Sequence, residues 1–145
     1  MESGAIPDES ITASTVFGIG CEPYYGRING VAGGGSWLPL YDGIGQWLQI
    51  DLGEMRNVTG TTIQGRHIAA QWVTSYKLQY SIDRITWTTY SGSDGSEMVF
   101  PGNFHKSNPV TNLLENPIDA RYVRFVVQSW EWHAAMRVEI LGCST

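Results

Sequence analysis

Positive charge is scarce in this chain. Its 145 residues include nine lysines and arginines against 14 aspartates and glutamates, which gives a formal net charge of −5. A nucleic-acid binder needs a basic stripe that displaces counterions from phosphates, so the composition argues against nucleic acid as a partner. The same shortage argues against a purely electrostatic hold on an anionic membrane.

Long apolar runs and cysteines are also few. No window approaches 18 unbroken apolar residues, so the sequence predicts no membrane-spanning segment. The first ten residues, MESGAIPDES, are polar and lack the pattern of a signal peptide. The two cysteines, Cys21 and Cys143, could form one disulfide at most. The triplet NVT, residues 57–59, is the one N-glycosylation sequon and a weak hint of secretion.

Catalytic motifs are absent as well. GIGCEP begins like a dinucleotide-binding loop, but Pro23 stands where the third glycine belongs. His67, His105 and His133 are far apart, and no H-x-x-x-H, C-x-x-C or calcium-loop spacing is present. Nothing near Cys21 resembles an activating base. The sequence therefore predicts a protein that is not an enzyme, with no catalytic residues and no metal ligands.

Alternation of period two is what the sequence does contain. Apolar and polar residues alternate in QWLQIDLG, SYKLQYS, ITWTTY, YVRFVVQ and MRVEIL, which are residues 46–53, 75–81, 85–90, 122–128 and 136–141. Each run offers one face to a core and one to water, and turn signals such as SGSDGS and ENPID separate them. Short strands at this spacing predict an all-β sandwich or barrel. With no linker in sight, we expect a single domain over residues 1–145.

Four stretches break this alternation and are nevertheless rich in large side chains. They are VFGIGCEPYYGR, SWLPLYDGIGQ, QGRHIAAQW and SWEWHAAMR, which are residues 16–27, 36–46, 64–72 and 129–137. The loops of a sandwich cluster at its ends, where rigid strands can position them to bind something. We therefore expect the ligand site among these loops.

Tryptophan and arginine in and around these loops have more than one interpretation. The tryptophans that we expect in the core, because they lie in or beside strands, are Trp47, Trp72 and Trp87. Trp37 and Trp132 lie in loops, so core packing and ligand contact are equal alternatives for them. Arg66 and Arg137 either pair with carboxylates or face a ligand.

Six segments, in order along the chain, resemble one family. This is the discoidin family, also called the coagulation factor 5/8 type C domain. The segments are MESGAIPDESITAS, QWLQIDLGEMRNVTGTTIQGR, WVTSYKLQYSIDRITWTTY, VFPGN, ARYVRF and MRVEILGC. The resemblance covers residues 1–143 and implies a distorted jelly-roll sandwich or barrel of about eight antiparallel strands. It also implies three projecting loops, residues 16–27, 36–46 and 66–71, which in the family bind phosphatidylserine-rich membranes, sugars or protein ligands.

Two departures from the family pattern matter. Family domains usually begin with a cysteine bonded to the one that matches Cys143, and that partner is missing here. Cys21 should sit on a projecting loop, far from Cys143, so we expect two unpaired thiols and an exposed Cys21. Some sugar-binding relatives hold a structural calcium ion with an Asp-Gly pair and a late glutamate. Here Asn29-Gly30 and Glu139 stand at those positions, which weakens the case for calcium, and we expect no cofactor.

The resemblance implies a non-enzymatic, extracellular adhesion or recognition module, either secreted or part of an ectodomain. A cell-surface glycan of galactose type and an anionic phospholipid are equally favoured as ligands, and a protein ligand of a receptor ectodomain is the alternative. The expected ligand-binding residues are Phe17, Ile19, Arg27, Trp37, Leu38, Asp42, Arg66, His67, Trp132 and His133.

The two main ligands use these residues differently. Membrane insertion needs apolar loop tips, for which the candidates are Phe17, Ile19, Leu38 and Leu40. Few basic residues could assist against anionic lipid, namely Arg27, Arg66 and His67. A sugar site needs directed polar groups and an aromatic platform. The candidates are Arg66, His67 and His133 as donors, Asp42 and Glu131 as acceptors, and Trp37 or Trp132 as the platform.

Overall fold

Seven antiparallel strands form the fold in the computed structural model, which describes the backbone of residues 1–144 and the side chains of residues 1–142. The strands are β1 (Ile11–Ala13), β2 (Trp47–Gln64), β3 (Trp72–Ser81), β4 (Thr88–Thr89), β5 (Phe100–Pro101), β6 (Val110–Glu131) and β7 (Arg137–Ser144). Single turns of 3₁₀ helix cover Asp8–Ser10 and Pro23–Tyr25. None of the helices in this part of the chain is long and apolar enough to cross a membrane.

Strands β2 and β6 form one long antiparallel ribbon that bends in its middle. Their pairing runs from Trp47 opposite Val126 to Ile63 opposite Val110, with the register interrupted between Asp51 and Arg56. The partners on the outer side of β2 change at this bend. β1 pairs with residues 48–50, whereas β7 pairs with residues 56–64.

The bend folds the ribbon into two layers. One layer contains β1, the first part of β2, the second part of β6, and then β3 with β4 and β5. The other contains β7, the second part of β2 and the first part of β6. The Tyr76 hydroxyl on β3 lies 2.8 Å from Thr61 Oγ1 and accepts a hydrogen bond of 2.9 Å from Asn112 Nδ2, both in the opposite layer. The result is the all-β sandwich that the alternation predicted.

The core lies between the two layers and follows the predicted alternation. Leu48 and Ile50 on β2 and Phe125 on β6 are fully buried, as the pattern of period two requires. The Tyr76 ring lies 5.4 Å from that of Phe100 and 5.6 Å from that of Phe125, centroid to centroid. These aromatic contacts fill the middle of the sandwich.

The prediction of a strand at ITWTTY, residues 85–90, is mostly wrong. Only Thr88–Thr89 forms a strand there, and Ile85 is 83% exposed. The cause is a local turn. The Asp83 carboxylate accepts hydrogen bonds of 2.9 Å from the backbone N–H groups of both Ile85 and Thr86, and Arg84 has a φ of 64°. A short side chain that forms hydrogen bonds with the neighbouring backbone competes with strand pairing. The first residues of this stretch therefore do not join the sheet, although their pattern alternates.

The prediction that Trp47, Trp72 and Trp87 lie in the core is also wrong, since none of the three is fully buried. Trp47 and Trp87 instead lie on either side of Arg124, whose guanidinium carbon is 4.0 Å and 3.8 Å from their ring centroids. Burial in this stack lowers the pKa of Arg124. The fully buried indole is Trp37, whose Nε1–H donates to the Thr15 carbonyl at 2.9 Å. Core packing is therefore the correct alternative for Trp37.

Arg137 is the most deeply buried charged side chain of those described, with 2% exposure. It does not pair with a carboxylate. Its guanidinium donates to three backbone carbonyls, those of Gly65 at 2.7 Å, Gly30 at 2.8 Å and Lys106 at 3.1 Å. Burial lowers the pKa of this group. One side chain on β7 thus fixes three segments that have no strand ladder of their own.

Replacing Arg137 with methionine should destabilise the fold. Three carbonyls would lose their donor, and each buried unsatisfied group costs about 1–3 kcal/mol, so we expect a loss of about 3 kcal/mol or more. Urea unfolding measures it. The control is Arg121→Met, because Arg121 pairs with Asp51 on the surface and such pairs contribute about 0–1 kcal/mol. Equal stability of the two variants would contradict the role assigned to Arg137.

Candidate functional site

Four loops gather at one end of the sandwich. The ribbon folds back on itself. As a result, the start of β2 at Trp47 lies at the same end of the sandwich as Gln64 and Glu131, where β2 and β6 finish. The segments beside these residues are loop 1 (residues 16–27), loop 2 (residues 36–46), loop 3 (residues 66–71) and loop 4 (residues 132–136). We call this the loop end.

Backbone hydrogen bonds join the loops to one another. Phe17 N–H in loop 1 donates to the Leu38 carbonyl in loop 2 at 2.9 Å. Trp37 and Met136 exchange both backbone hydrogen bonds and so connect loop 2 to loop 4. The loops therefore form one packed unit, which agrees with a preformed binding surface rather than separate flexible segments.

The triple glycine at residues 33–35 lies between loops 1 and 3. Gly34 N–H donates to the Gly20 carbonyl at 2.7 Å, and the Gly34 carbonyl accepts from Arg66 Nε at 2.6 Å. A Cβ on Gly34 would lie 2.6 Å from the Gly20 oxygen, and one on Gly33 would lie 2.6 Å from the Tyr25 ring. Only glycine permits this approach, so the glycine run is a packing element and not a linker.

A cleft of about 360 Å³ opens between the loops. Residues from all four loops line it, namely Phe17, Cys21, Leu38, Pro39, Leu40, Tyr41, Asp42, Arg66, Gln71 and His133. The walls are mainly apolar, with a few polar groups, which is the usual character of a ligand site.

Two hydrogen-bonded groups supply the polarity of the cleft. His133 Nδ1 donates to Asp42 Oδ2 at 2.7 Å, and the other oxygen of Asp42 accepts from Ala134 N–H at 2.8 Å. With Nδ1 bonded to Asp42, Nε2 is the ring nitrogen that remains for a ligand. Arg66 also lines the cleft, and it donates to the Gly34 carbonyl and to Gln71 Oε1, at 2.6 Å and 3.0 Å. Both groups are thus held in place before any ligand arrives.

Exposed apolar side chains are frequent on loops 1 to 4, and we call them together the apolar rim. They are Phe17, Ile19, Leu40, Tyr41, Ile44, Ile68 and Trp132. Trp132 also has a φ of 61°, which is unusual for a bulky residue and is typical of strain held at functional sites. Exposed apolar patches of this kind mark surfaces that meet a membrane or another molecule.

Comparison with known proteins gives one consistent result. The sequence signature of the F5/8 type C domain matches residues 10–140. Retinoschisin from Mus musculus is 37% identical over 155 positions, which cover 99% of this chain and 67% of retinoschisin. Lactadherin from Bos taurus is 35% identical, with 99% of this chain and 36% of lactadherin covered. The chain belongs to the F5/8 type C domain family.

The solved structure of discoidin II from Dictyostelium discoideum has the same fold as this F5/8 type C domain. Its TM-score is 0.83 at 24% identity, and the match covers 93% of this chain and 55% of discoidin II. The predicted family and the jelly-roll fold are therefore confirmed, with seven strands described instead of about eight. The predicted class of function, an extracellular recognition module of the carbohydrate- or phospholipid-binding kind, is confirmed as well.

The cleft brings together half of the ligand-binding residues predicted for this F5/8 type C domain. Phe17, Leu38, Asp42, Arg66 and His133 line it. Ile19, His67 and Trp132 lie on the same loops, exposed, but outside the cleft. Their use by a ligand stays a prediction.

Three of the predictions need correction. Trp37 is in the core and cannot serve as a platform. Arg27 does not face the cleft, because its guanidinium donates to Asp8 at 2.6 Å and to the Met1 carbonyl at 2.9 Å. Leu38 lines the cleft but is buried against Cys21 and Ala135, so it cannot insert into a membrane.

Cys21 is another correction. It is unpaired, as expected, but it is only 5% exposed rather than free on a loop tip. Burial raises the pKa of its thiol, although the nearby Arg66 opposes the shift. The thiol is therefore a packing group beneath the cleft. The predicted free thiol of Cys143 lies outside the described side chains.

The two positions considered for calcium are used within the fold. Asn29 Oδ1 accepts a hydrogen bond of 3.0 Å from Gln64 Nε2. The Glu139 carboxylate accepts from the backbone N–H groups of Glu2 and Ile140, at 3.3 Å and 3.0 Å. Within residues 1–142, no three His, Cys, Asp or Glu side chains come together as a metal site would require.

Pro39, Tyr41 and Gln71 were not among the predicted site residues, although all three line the cleft. They lie inside the stretches that the sequence singled out, so their position in an irregular, aromatic-rich loop was the available signal. Which side chains of a loop turn toward a cleft depends on contacts with other loops, and no pattern in one stretch encodes those.

Replacing Gly34 with alanine should loosen the loop end. The new methyl group would meet the Gly20 carbonyl, and such overpacking costs about 1–3 kcal/mol. We expect a lower melting temperature and an altered near-ultraviolet circular dichroism spectrum. The control is Gly43→Ala in loop 2, where the nearest atom to a Cβ is 3.6 Å away. Indistinguishable behaviour of the two variants would mean that the close approach at Gly34 is unimportant.

Proposed function

We propose that the loop end of this F5/8 type C domain binds the surface of a phospholipid membrane. The observation that carries the proposal is the concentration of exposed apolar side chains on four loops that project together. Ile19 is fully exposed at the tip of loop 1, and Phe17 beside it is 62% exposed. Ile44 of loop 2 and Ile68 of loop 3 are exposed as well. A membrane interface would remove all of these from water.

The energy available from this burial is sufficient for reversible binding. Full burial of one large apolar side chain contributes about 1.5–3 kcal/mol. Partial burial of four or five such side chains therefore supplies several kcal/mol, from which the cost of ordering the complex is subtracted. The loops are already packed against one another, so that cost is small.

Electrostatic attraction contributes little to this binding. Each basic residue near an anionic surface adds about 1 kcal/mol, but the loop end offers few of them. Arg66 is held in the cleft by hydrogen bonds to Gly34 and Gln71. His67 is exposed and is the other basic side chain considered there. The apolar rim is therefore the main source of affinity, and binding should depend only weakly on salt.

The cleft gives the membrane surface a place for a polar head group. Phe17, Leu40 and Tyr41 belong both to the apolar rim and to the lining of the cleft, so their insertion would bring a head group next to His133 and Arg66. The Arg66 guanidinium is a donor to phosphate, and Nε2 of His133 is the ring nitrogen that remains for a hydrogen bond with a head group. In this arrangement the rim provides affinity and the cleft provides selectivity.

Glycan binding is the second candidate, and one observation favours it. Trp132 is 71% exposed and stands beside His133, with ring centroids 6.3 Å apart. An exposed aromatic face next to a fixed imidazole and carboxylate is the arrangement that suits a sugar ring with its hydroxyls. A soluble sugar would use Trp132 and the cleft but would not need Ile19.

Replacing Ile19 with serine separates the two candidates. If the loop end inserts into membranes, co-sedimentation with phosphatidylserine-containing vesicles should weaken about 10-fold or more, because the variant loses one buried apolar side chain. The control is Ile85→Ser, which removes an isoleucine that is 83% exposed from the turn between β3 and β4 at the opposite end. This control should bind vesicles as the parent does.

Two outcomes would contradict membrane binding. Equal loss in both variants would show that the position of the isoleucine does not matter. Absence of vesicle binding together with a glycan-array signal that Trp132→Ala removes and Ile19→Ser retains would replace the lipid with a glycan.

A further inference from the structure

The NVT sequon lies on strand β2, just after the bend of the ribbon. Asn57 is opposite Asp119 on β6 and Cys143 on β7, so the strand around it is paired on both sides. The next residue, Val58, is 1% exposed and points into the core. Because side chains alternate along a strand, Asn57 faces outward, and it is indeed partly exposed.

The amide of Asn57 retains one hydrogen for modification. Nδ2 carries two hydrogens, and one of them donates to Asp119 Oδ1 at 3.2 Å. An N-linked glycan replaces a single hydrogen of this nitrogen. The remaining N–H can still donate to Asp119, so the modified side chain keeps its contact with the fold.

Thr59, the third residue of the sequon, lies on β2 and is partly exposed. Both ladders of β2 step from Val58 to Gly60 and leave Thr59 in a β-bulge. Among the described side chains, its hydroxyl has no hydrogen-bond partner.

Space for a bulky group is present beside Asn57. A groove of about 210 Å³ borders this residue and is also lined by Ala5, Ile6, Leu52 and Ile140. The groove lies at the bend and not at the loop end. From Asn57 to Gln64, the last residue of β2 before loop 3, the strand runs seven residues, or about 23 Å at 3.3 Å per residue.

We propose that Asn57 carries an N-linked glycan on the sheet face remote from the loop end. In the transfer, Nδ2 forms a bond to the anomeric carbon of a lipid-diphosphate-linked oligosaccharide. The bond from that carbon to the diphosphate breaks, and the amide loses one proton. The glycan covers the bend of the sandwich, where it adds hydration, and leaves loops 1 to 4 free.

Secretion of the whole chain from mammalian cells behind a secretion leader tests the proposal. Intact mass and digestion with a peptide-N-glycosidase should show one glycan, and peptide mapping should place it at Asn57. Asn57→Gln and Thr59→Ala should both remove the glycan. Thr59→Ser preserves the sequon and should retain it, which excludes misfolding at the bulge as the cause of loss.

The position of the glycan is tested by hydrogen exchange before and after enzymatic removal. We expect changes in exchange only around Asn57 and its neighbours on β6 and β7. A secreted, folded chain without sugar at Asn57 would overturn the proposal. So would a change in loops 1 to 4 on glycan removal, because it would place the sugar against the loop end. Neither readout uses vesicles, so a failure of membrane binding remains distinguishable.

Discussion

The guanidinium of Arg137 joins three backbone segments, of which those at Gly30 and Gly65 border the loop end. Loops without a strand ladder must still satisfy their backbone carbonyls, and Arg137 satisfies those of Gly30, Gly65 and Lys106 from one buried position on β7. Arg66, which lies nearer the surface, makes the same kind of hydrogen bond to the Gly34 carbonyl. Both arginines thus donate to backbone carbonyls, and among the described residues none of their hydrogen bonds goes to a carboxylate, so neutral oxygens fix these segments in place.

This framework resolves an apparent conflict at the loop end. Apolar side chains normally fold inward, yet Phe17, Ile19 and Ile44 stay exposed. They cannot collapse because the backbone beneath them is already fixed by glycine packing, by bonds between loops and by the buried Trp37. The exposed surface is therefore preformed, and a membrane or a glycan meets it without ordering the loops first.

The fold could be predicted from sequence wherever one side of a strand is buried. Leu48, Ile50 and Phe125 follow the alternation because the sandwich offers a core on one side and water on the other. The prediction failed where contacts distant in sequence decide the outcome. The turn at Asp83 removed Ile85 from the sheet, and loops 2 and 4 closed over Cys21. Composition located the candidate loops, but only packing shows which of their side chains reach the cleft.

Quenching of Trp132 fluorescence by brominated lipids tests membrane docking most directly. Trp132 is the most exposed of the described tryptophans and lies on the proposed docking surface, whereas Trp37 is buried in the core. We expect vesicles brominated at shallow acyl positions to quench the bound protein, and we expect Trp132→Phe to remove most of this quenching while binding persists. Vesicle binding with no quenching, or with equal quenching in the variant, would contradict insertion of the loop end.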